Sequence, residues 1–219
     1  MKNEQTKGRH GIGAMVRTIG IAAVGLAVMA APALAADADK FTPPHVPGNI
    51  QVDPPDEFFL VGHAIGTQNY VCLPSGAHFA WTLFTPEATL FNDRGKQLIT
   101  HFFSPNPNPD PAEHDIVRAT WQDSRDTSAV WAKAIAVSVD QVFVNDGAVA
   151  WLKLQVVGHE DGPAGGDRLS GTTFIQRVNT VGGAAPSTGC SVSSDVGREA
   201  FMPYTADYLF YRLKGNHDR

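Results

Sequence analysis

The sequence lacks the short motifs that identify the commonest enzyme classes. It contains no G-x-S-x-G nucleophile elbow, no H-E-x-x-H or H-x-H metal pattern, and no G-x-G-x-x-G turn between a strand and a helix. Residues 181–186 (VGGAAP) come nearest to the last pattern, but Pro186 stands where the helix would propagate. These absences disfavour a serine hydrolase of this class, a metal site with ligands close in sequence, and a nicotinamide dehydrogenase.

Helical signals are scarce as well. No segment combines an amphipathic helical stripe with capping residues at both ends. The chain consists of short alternating or apolar runs separated by Gly, Pro, Asn and Asp, which is typical of β-strands. The candidate strands are 58–66, 68–73, 80–84, 88–91, 97–103, 129–139, 149–157, 172–180 and 207–212. This pattern predicts an all-β protein, a β-sandwich or a closed β-barrel, without internal repeats.

Long loops rich in Pro and Gly interrupt the strands. Residues 104–111 form a proline ladder and 158–167 form a glycine-rich acidic stretch, so both are predicted to run over the surface. Residues 92–95 (NDRG) predict a hairpin turn, because Gly95 tolerates the positive φ that such turns need.

The N-terminus has the features of a secretory leader. Basic residues precede an apolar run at 19–31, and Ala33 and Ala35 supply the small residues that a signal peptidase recognises. We therefore predict a signal peptide at 1–35, a Pro-rich extended arm at 36–56, a single β domain at 57–213 and a C-terminal tail at 214–219. An uncleaved membrane anchor is the alternative, but the apolar run is short for a permanent span.

The net charge of the mature chain limits the classes of molecule that it can bind. The leader carries four of the 17 basic and one of the 22 acidic residues, which leaves 13 against 21 and a formal charge of −8. Such a chain does not hold nucleic acid or anionic lipid by charge alone. The sequence predicts a secreted or periplasmic protein without a permanent membrane anchor and without a nucleic-acid partner.

Cysteine is nearly absent. The two cysteines, Cys72 and Cys190, both follow the predicted leader, and an even pair in an oxidising compartment is usually bridged. We predict one disulfide between them. The alternative, a nucleophilic cysteine with a histidine base, lacks a recognisable activation motif.

The chain is organised around the strand predicted at 172–180. Alternation places Phe174, Gln176 and Val178 on one face and Ile175, Arg177 and Asn179 on the other. The amides and the guanidinium either form a structural hydrogen-bond network or bind a carboxylate, phosphate or sugar. For Arg177 we predict an ion pair with Asp207, which would make its replacement by Met cost roughly 3 kcal/mol.

Histidines and aromatic residues supply the remaining candidates. His101 lies before the proline ladder and His114 after it, with Asp110 between, so a folded loop could gather them around a divalent ion. Solvated histidines with acidic neighbours are the alternative, and no cofactor is predicted beyond this metal option. Trp121 and Tyr204 could stack on a flat ligand, although most aromatics are expected in the core; the polar context of Trp121 predicts a half-covered ring.

Two groups of residues resemble a known family. They are 174–186 (FIQRVNTVGGAAP) followed by Gly189-Cys190, and 203–211 (PYTADYLFY). Further matching pieces are Gln68-Asn-Tyr-Val-Cys72, Pro86-Glu-Ala-Thr-Leu90, His101-Phe102 and Ala119-Thr-Trp121. With these motifs the chain is similar, over about residues 47–211, to the secreted bacterial and fungal family called domain of unknown function 3455. The resemblance implies a domain boundary and no particular activity.

Two functional hypotheses follow. The first is a β-domain that binds a small molecule, a glycan or an envelope partner. The alternative is an enzyme, metal-assisted or not, whose site is assembled from His101 as acid or base, Arg177 as anion holder and Asp207 as orienting group. Convergence of His101, Gln176, Arg177 and Tyr204 on one pocket would favour the enzyme, and dispersal would disfavour it.

Overall fold

The computed structural model describes residues 41–215. They form a closed barrel of eight antiparallel strands. The strands are β1 (Asp56–Ser75), β2 (His78–Phe91), β3 (Gln97–Pro105), β4 (Val117–Asp123), β5 (Ala129–Ser138), β6 (Trp151–Glu160), β7 (Thr172–Gly182) and β8 (Glu199–Leu213). Each strand pairs with its neighbours in sequence, and β8 pairs back with β1. The all-β prediction is confirmed, and of its two architectures the barrel is the one observed. The predicted leader lies outside the described residues.

The predicted strands are present, but several of them are fragments of longer ones. The segments 58–66 and 68–73 are one strand, β1, whose register against β2 shifts between Asn69 and Tyr70. The segments 80–84 and 88–91 are likewise joined in β2. The turn between β2 and β3 is the predicted hairpin, with Gly95 at a φ of 70° and its N–H bonded to the carbonyl of Asn92.

The sequence pattern missed β4. Its polar residues suggested a turn, yet they are satisfied within the barrel wall: Thr120 bonds to Ser104, and Asp123 accepts hydrogen bonds from the loop that follows. Alternation then turns the ring of Trp121 inward, where it is fully buried. The prediction of a half-covered Trp121 is therefore wrong.

The barrel interior holds the main hydrophobic core. At the end that carries the β2–β3, β4–β5 and β6–β7 connections, Leu90, Ile99, Val130 and Phe210 fill the interior, and Leu169 of the β6–β7 connection closes it. We call this region the closed half. The other end carries the β3–β4 and β5–β6 connections, and we call the interior there the cavity half.

A second hydrophobic core lies outside the barrel. Residues 41–55 run over the outer face of the wall, and Ile50, in the short 3-10 turn Gly48–Ile50, is fully buried there. It packs with Trp151, Val178, Leu209 and other outward-facing side chains. The segment that precedes β1 thus covers one outer face, and the face includes alternate residues of the organising strand β7.

The long connection between β7 and β8 is fixed by a disulfide. Cys72 of β1 and Cys190 are bonded with their Cα atoms 5.5 Å apart, which confirms the predicted pairing. Gly182 and Gly183 begin the connection with φ angles of 68° and 81°, and a Cβ on Gly182 would lie 2.6 Å from the carbonyl oxygen of Pro203. Only glycine fits such a close approach with positive φ.

Within residues 41–215, no helix is long and apolar enough to cross a membrane.

Candidate binding site inside the barrel

A cavity of about 460 Å³ occupies the cavity half of the barrel interior. Apolar side chains make up more than half of its wall, and the polar ones include three cations. The lining residues are Gln68, Tyr70, Leu83, Pro86, His101, Phe103, Val117, Arg118, Ala119, Trp121, Ala132, Lys133, Ala134, Val149, Ala150, Leu152, Leu154, Arg177 and Tyr208. Volume and lining are both in the range typical of small-molecule pockets.

The cavity reaches the surface beside a break in the barrel wall. The ladder between β2 and β3 ends at the pair Ala88–His101, and Pro86, which has no N–H to donate, lies just beyond it. Val117, another lining residue, is 56% exposed. Solvent and small solutes therefore meet the cavity at this side.

Arg177 is one of three cationic residues that line the cavity, together with Arg118 and Lys133. It pairs in register with Leu152 of β6 and Tyr208 of β8. Its Nε and Nη2 donate to the carbonyl oxygen of Ala150 at 3.1 and 2.9 Å, and no other hydrogen bond joins its side chain to residues 41–215. None of the described residues that line the cavity is an aspartate or a glutamate.

The predicted ion pair between Arg177 and Asp207 does not form. Asp207 stands opposite Val178, one residue away from the register that would face Arg177, so its carboxylate lies on the outer side of the wall. It accepts instead from His63 at 2.6 Å and from Asn179 at 2.8 Å. The three residues of the predicted catalytic constellation are therefore divided between the inside and the outside of the barrel.

His101 is a neutral hydrogen-bonding group in this cavity. Its ring stacks on Trp121 with centroids 4.2 Å apart, and Nδ1 lies 2.8 Å from the carbonyl oxygen of Thr120, so Nδ1 carries the proton and donates. Burial lowers the pKa of His101 to about 3; the bond to Thr120 opposes the shift and the charge of Arg177 adds to it. At neutral pH the ring therefore presents the lone pair of Nε2.

Two buried donors of the cavity wall have no partner among residues 41–215. Trp121 Nε1 and Gln68 Nε2 make no hydrogen bond, although each side chain is at least 99% buried. The Gln68 amide lies near enough to Tyr204 to act on the pKa of that hydroxyl, but without hydrogen-bond geometry. A buried polar group without a partner costs about 1–3 kcal/mol, so each is unusual in a folded protein.

The neighbouring tyrosines are satisfied within the fold. Tyr70 donates to the carbonyl oxygen of Gly183 at 2.7 Å, and the hydroxyls of Tyr204 and Tyr208 are 3.2 Å apart. Burial raises the pKa of Tyr70 and of Tyr204, and the charge of Arg177 opposes both rises. Arg177 thus acts on the pKa of both tyrosines, but burial outweighs its charge and the tyrosines remain protonated.

Charged residues at the mouth are paired. Glu113, on the loop that follows the proline ladder, bonds to Arg118 at 2.8 Å and to Lys133 at 2.9 Å. The hydrogen bonds from Lys133 and Arg118 lower the pKa of Glu113. The mouth therefore holds two cations against one carboxylate, and the cavity as a whole is positive.

Other predicted ligand residues lie away from the cavity. Gln176 points outward, where it donates to the carbonyl of Ile50 and accepts from Tyr211, both at 2.6 Å, so it ties residues 41–55 to the barrel. Asn179 has a φ of 51° in the irregular stretch between Val178 and Val181, which breaks the predicted alternation and turns it outward. Of the predicted binding residues, only Trp121 and Arg177 line the cavity, together with His101.

The residues predicted to bind a metal ion do not lie together. His101 is inside the barrel, whereas His114 is exposed and bonds to the carbonyl of Asn108, and Asp110 accepts from the N–H of Ala112. Among the described residues, no cluster of three or more His, Cys, Asp or Glu side chains is placed to bind a metal ion.

Sequence reasoning did not single out Gln68 or Tyr70 as site residues. Both fall within a motif that carries the family resemblance, which is the one signal that marked them. Sequence reasoning also missed a contact on the outer face of the barrel. The imidazole nitrogens of His63 lie 2.6 Å from Asp207 and 2.9 Å from Asp93. Burial lowers the pKa of His63, but the hydrogen bonds and charges of Asp207 and Asp93 outweigh it and raise the pKa above its usual value.

Comparison with known proteins identifies the family to which the chain belongs. No curated protein and no solved structure matches the chain. One family model, described as "Protein of unknown function (DUF3455)", matches residues 54–212, which run from just before β1 almost to the end of β8. The matched segment covers the complete barrel and its cavity, and the chain belongs to the DUF3455 family.

Proposed function

We propose that this protein binds a small, largely apolar molecule inside its barrel. The observation that carries the proposal is the cavity of about 460 Å³ with two unpartnered buried donors in its wall. An interior that served only the fold would be filled by side chains, as small barrels usually are. Eight-stranded barrels that leave such a space commonly enclose one ligand.

The site supports binding better than catalysis. His101, with a pKa of about 3, is a poor general base at neutral pH, because proton transfer is most efficient when the pKa lies near the working pH. Asp207, which would have to orient it, faces the outside of the barrel. The polar groups of the wall thus have the role of fixing a ligand's orientation.

We also propose that the protein works outside the cytoplasm. The predicted leader at 1–35 and the disulfide between Cys72 and Cys190 support export, since disulfides persist in oxidising compartments. N-terminal sequencing of the exported protein should begin near Ala36. A membrane-bound protein that retains Met1 would contradict this proposal.

A neutral fluorescent probe tests the binding proposal. N-phenyl-1-naphthylamine should bind the wild-type protein with one probe per chain and quench tryptophan emission, because Trp121 lines the cavity. Ala119→Trp adds a large ring to the cavity wall, whereas Ala77→Trp adds the same ring to an exposed turn.

The two variants separate cavity binding from surface binding. We expect Ala119→Trp to weaken probe binding at least tenfold and Ala77→Trp to leave it unchanged. Equal binding by both variants would place the probe elsewhere and contradict the proposal.

A further inference from the structure

The cavity contains a cation, Arg177, that contacts no carboxylate among residues 41–215. Arg118 and Lys133 share Glu113, Arg168 pairs with Asp123, and Arg198 pairs with Asp195. Arg177 has only the neutral carbonyl of Ala150 as its hydrogen-bond partner among the described residues. A partly buried charge without a counter-charge is unfavourable, and binding of an anion would offset that cost.

The hydrogen-bond geometry of Arg177 leaves one edge of the guanidinium available. Nε and Nη2 each donate one N–H to the carbonyl of Ala150. Both N–H groups of Nη1 and the second N–H of Nη2 are therefore available to donate to a ligand. This end of the fork matches the two oxygens of a carboxylate, which arginine binds through two parallel hydrogen bonds.

The two buried side-chain atoms of the lining residues that lack a partner within residues 41–215 are donors as well. Trp121 Nε1 donates and never accepts, and Gln68 Nε2 is the donor end of its amide. Both belong to the lining of the same cavity as Arg177. The buried polar groups beside Arg177 thus favour a ligand that brings acceptors, such as a carboxylate, over one that brings an ammonium group.

Apolar side chains form much of the rest of the wall, and the space is small. Leu83, Phe103, Leu152 and Leu154 contribute hydrocarbon surface, and a volume of about 460 Å³ corresponds to roughly 15 water molecules of about 30 Å³ each. This volume suits a medium-length acyl chain or one or two aromatic rings, and is too small for a folded peptide or an oligosaccharide.

From these observations we propose that the ligand is an apolar monocarboxylate, with its anionic head on Arg177 and its hydrocarbon part against the leucine and phenylalanine side chains. This inference rests on the proposed function and adds the chemical class of the ligand. Arg177 is then the residue that selects an acid over an alcohol or an amine of the same size.

Three probes of equal chain length test this selection: decanoate, 1-decanol and decyltrimethylammonium. Each is titrated at neutral pH and below its aggregation concentration, by displacement of N-phenyl-1-naphthylamine and by calorimetry. In the wild-type protein we expect decanoate to bind at least tenfold more tightly than decanol, and decyltrimethylammonium more weakly than either.

Variants of two arginines assign the preference. Arg177→Met should remove the tenfold advantage of decanoate and leave decanol binding within threefold of wild type. Arg177→Lys should retain part of the advantage, because it keeps the charge without the planar fork. Arg94→Met, in the exposed hairpin, is the matched control and should change nothing.

The outcomes separate the two proposals. If decanol and decanoate bind the wild-type protein equally well, the carboxylate assignment is wrong while the binding function stands. If neither they nor the neutral probe bind, the binding function itself is wrong. The comparison of the three probes on the wild-type protein decides the assignment even if Arg177→Met does not fold.

Discussion

The two halves of the barrel interior place an arginine in opposite surroundings. In the closed half, Arg168 donates to Asp123 at 2.8 Å, and the side chain of Asp123 is fully buried. In the cavity half, Arg177 has a backbone carbonyl and no carboxylate. The closed half balances its charge within the protein, and the cavity half retains a charge that an outside molecule can balance.

The polar groups show the same contrast. In the closed half, Asp126 binds the N–H of Arg168 and both the N–H and the hydroxyl of Ser128, and that hydroxyl receives the N–H of Leu169. In the cavity half, Trp121 Nε1 and Gln68 Nε2 have no hydrogen-bond partner in the described part of the chain. At the closed end, the polar groups of the β4–β5 and β6–β7 connections bond to one another, whereas the cavity half has the features of a binding site. The predictions below test this division.

The largest effect is expected from the disulfide, which holds the connections on the cavity side. Replacing Cys72 and Cys190 together by Ala removes a link between residues 118 positions apart. The chain-entropy model gives a loss of about 5 kcal/mol in the free energy of unfolding. Reversible denaturant unfolding measures it. A loss below about 1 kcal/mol would show that the barrel alone orders this side.

The second largest effect is expected from the ion pair between Arg168 and Asp123 in the closed half. Arg168→Met leaves the buried carboxylate of Asp123 without its cation, so we expect the free energy of unfolding to fall by about 3 kcal/mol. Urea unfolding of the variant gives the value. An unchanged midpoint would mean that the closed half does not depend on this pair.

His101 makes the cavity half sensitive to acid. Its pKa is about 3 in the fold against about 6.5 unfolded, so the unfolded state binds the proton first, and stability is lost as the pH falls from about 6.5 toward 3. Between pH 6.5 and 4.5 this contribution is about 2 kcal/mol.

The His101→Gln variant isolates that contribution. Its free energy of unfolding should approach that of wild type as the pH falls, because only the wild-type protein loses the His101 term. A constant difference between the two proteins across this range, or an NMR titration of the His101 ring near pH 6.5, would contradict the buried neutral histidine.

The smallest effect is expected at Arg177. Arg177→Met removes two hydrogen bonds to Ala150 but also removes an unbalanced charge from an apolar cavity, so the free energy of unfolding should change by less than about 1 kcal/mol. This replaces the 3 kcal/mol expected from an ion pair with Asp207. A loss as large as that of Arg168→Met would remove the distinction between the two halves.

Local patterns predicted the parts of the fold that depend on neighbouring residues. The alternation along β7 correctly separates Ile175 and Arg177, inside, from Gln176, outside, and the number of cysteines predicted their pairing. The alternation failed at Asn179, because a φ of 51° there interrupts the strand. Nothing in the neighbouring sequence signals that irregularity.

The parts that depend on strand register could not be predicted. Whether Asp207 or Tyr208 stands opposite Arg177 is a difference of one residue, which moves the side chain from one side of the wall to the other. The contact between His63 and Asp207 joins residues 144 positions apart. The cavity is formed by residues from several strands. A single segment of the sequence therefore suggests candidate binding residues, but it does not show which of them meet in the cavity.

The most direct test of the account follows the ionisation of a bound carboxylate. Decanoate labelled with ¹³C at the carboxyl carbon is titrated by NMR while bound to the wild-type protein. An apolar cavity alone would raise the pKa of the bound acid, whereas the Arg177 guanidinium should lower it below the value of free decanoate. The account predicts a lowered pKa in wild type and a raised one in Arg177→Met. A raised pKa in both proteins, or no bound signal in either, would contradict it.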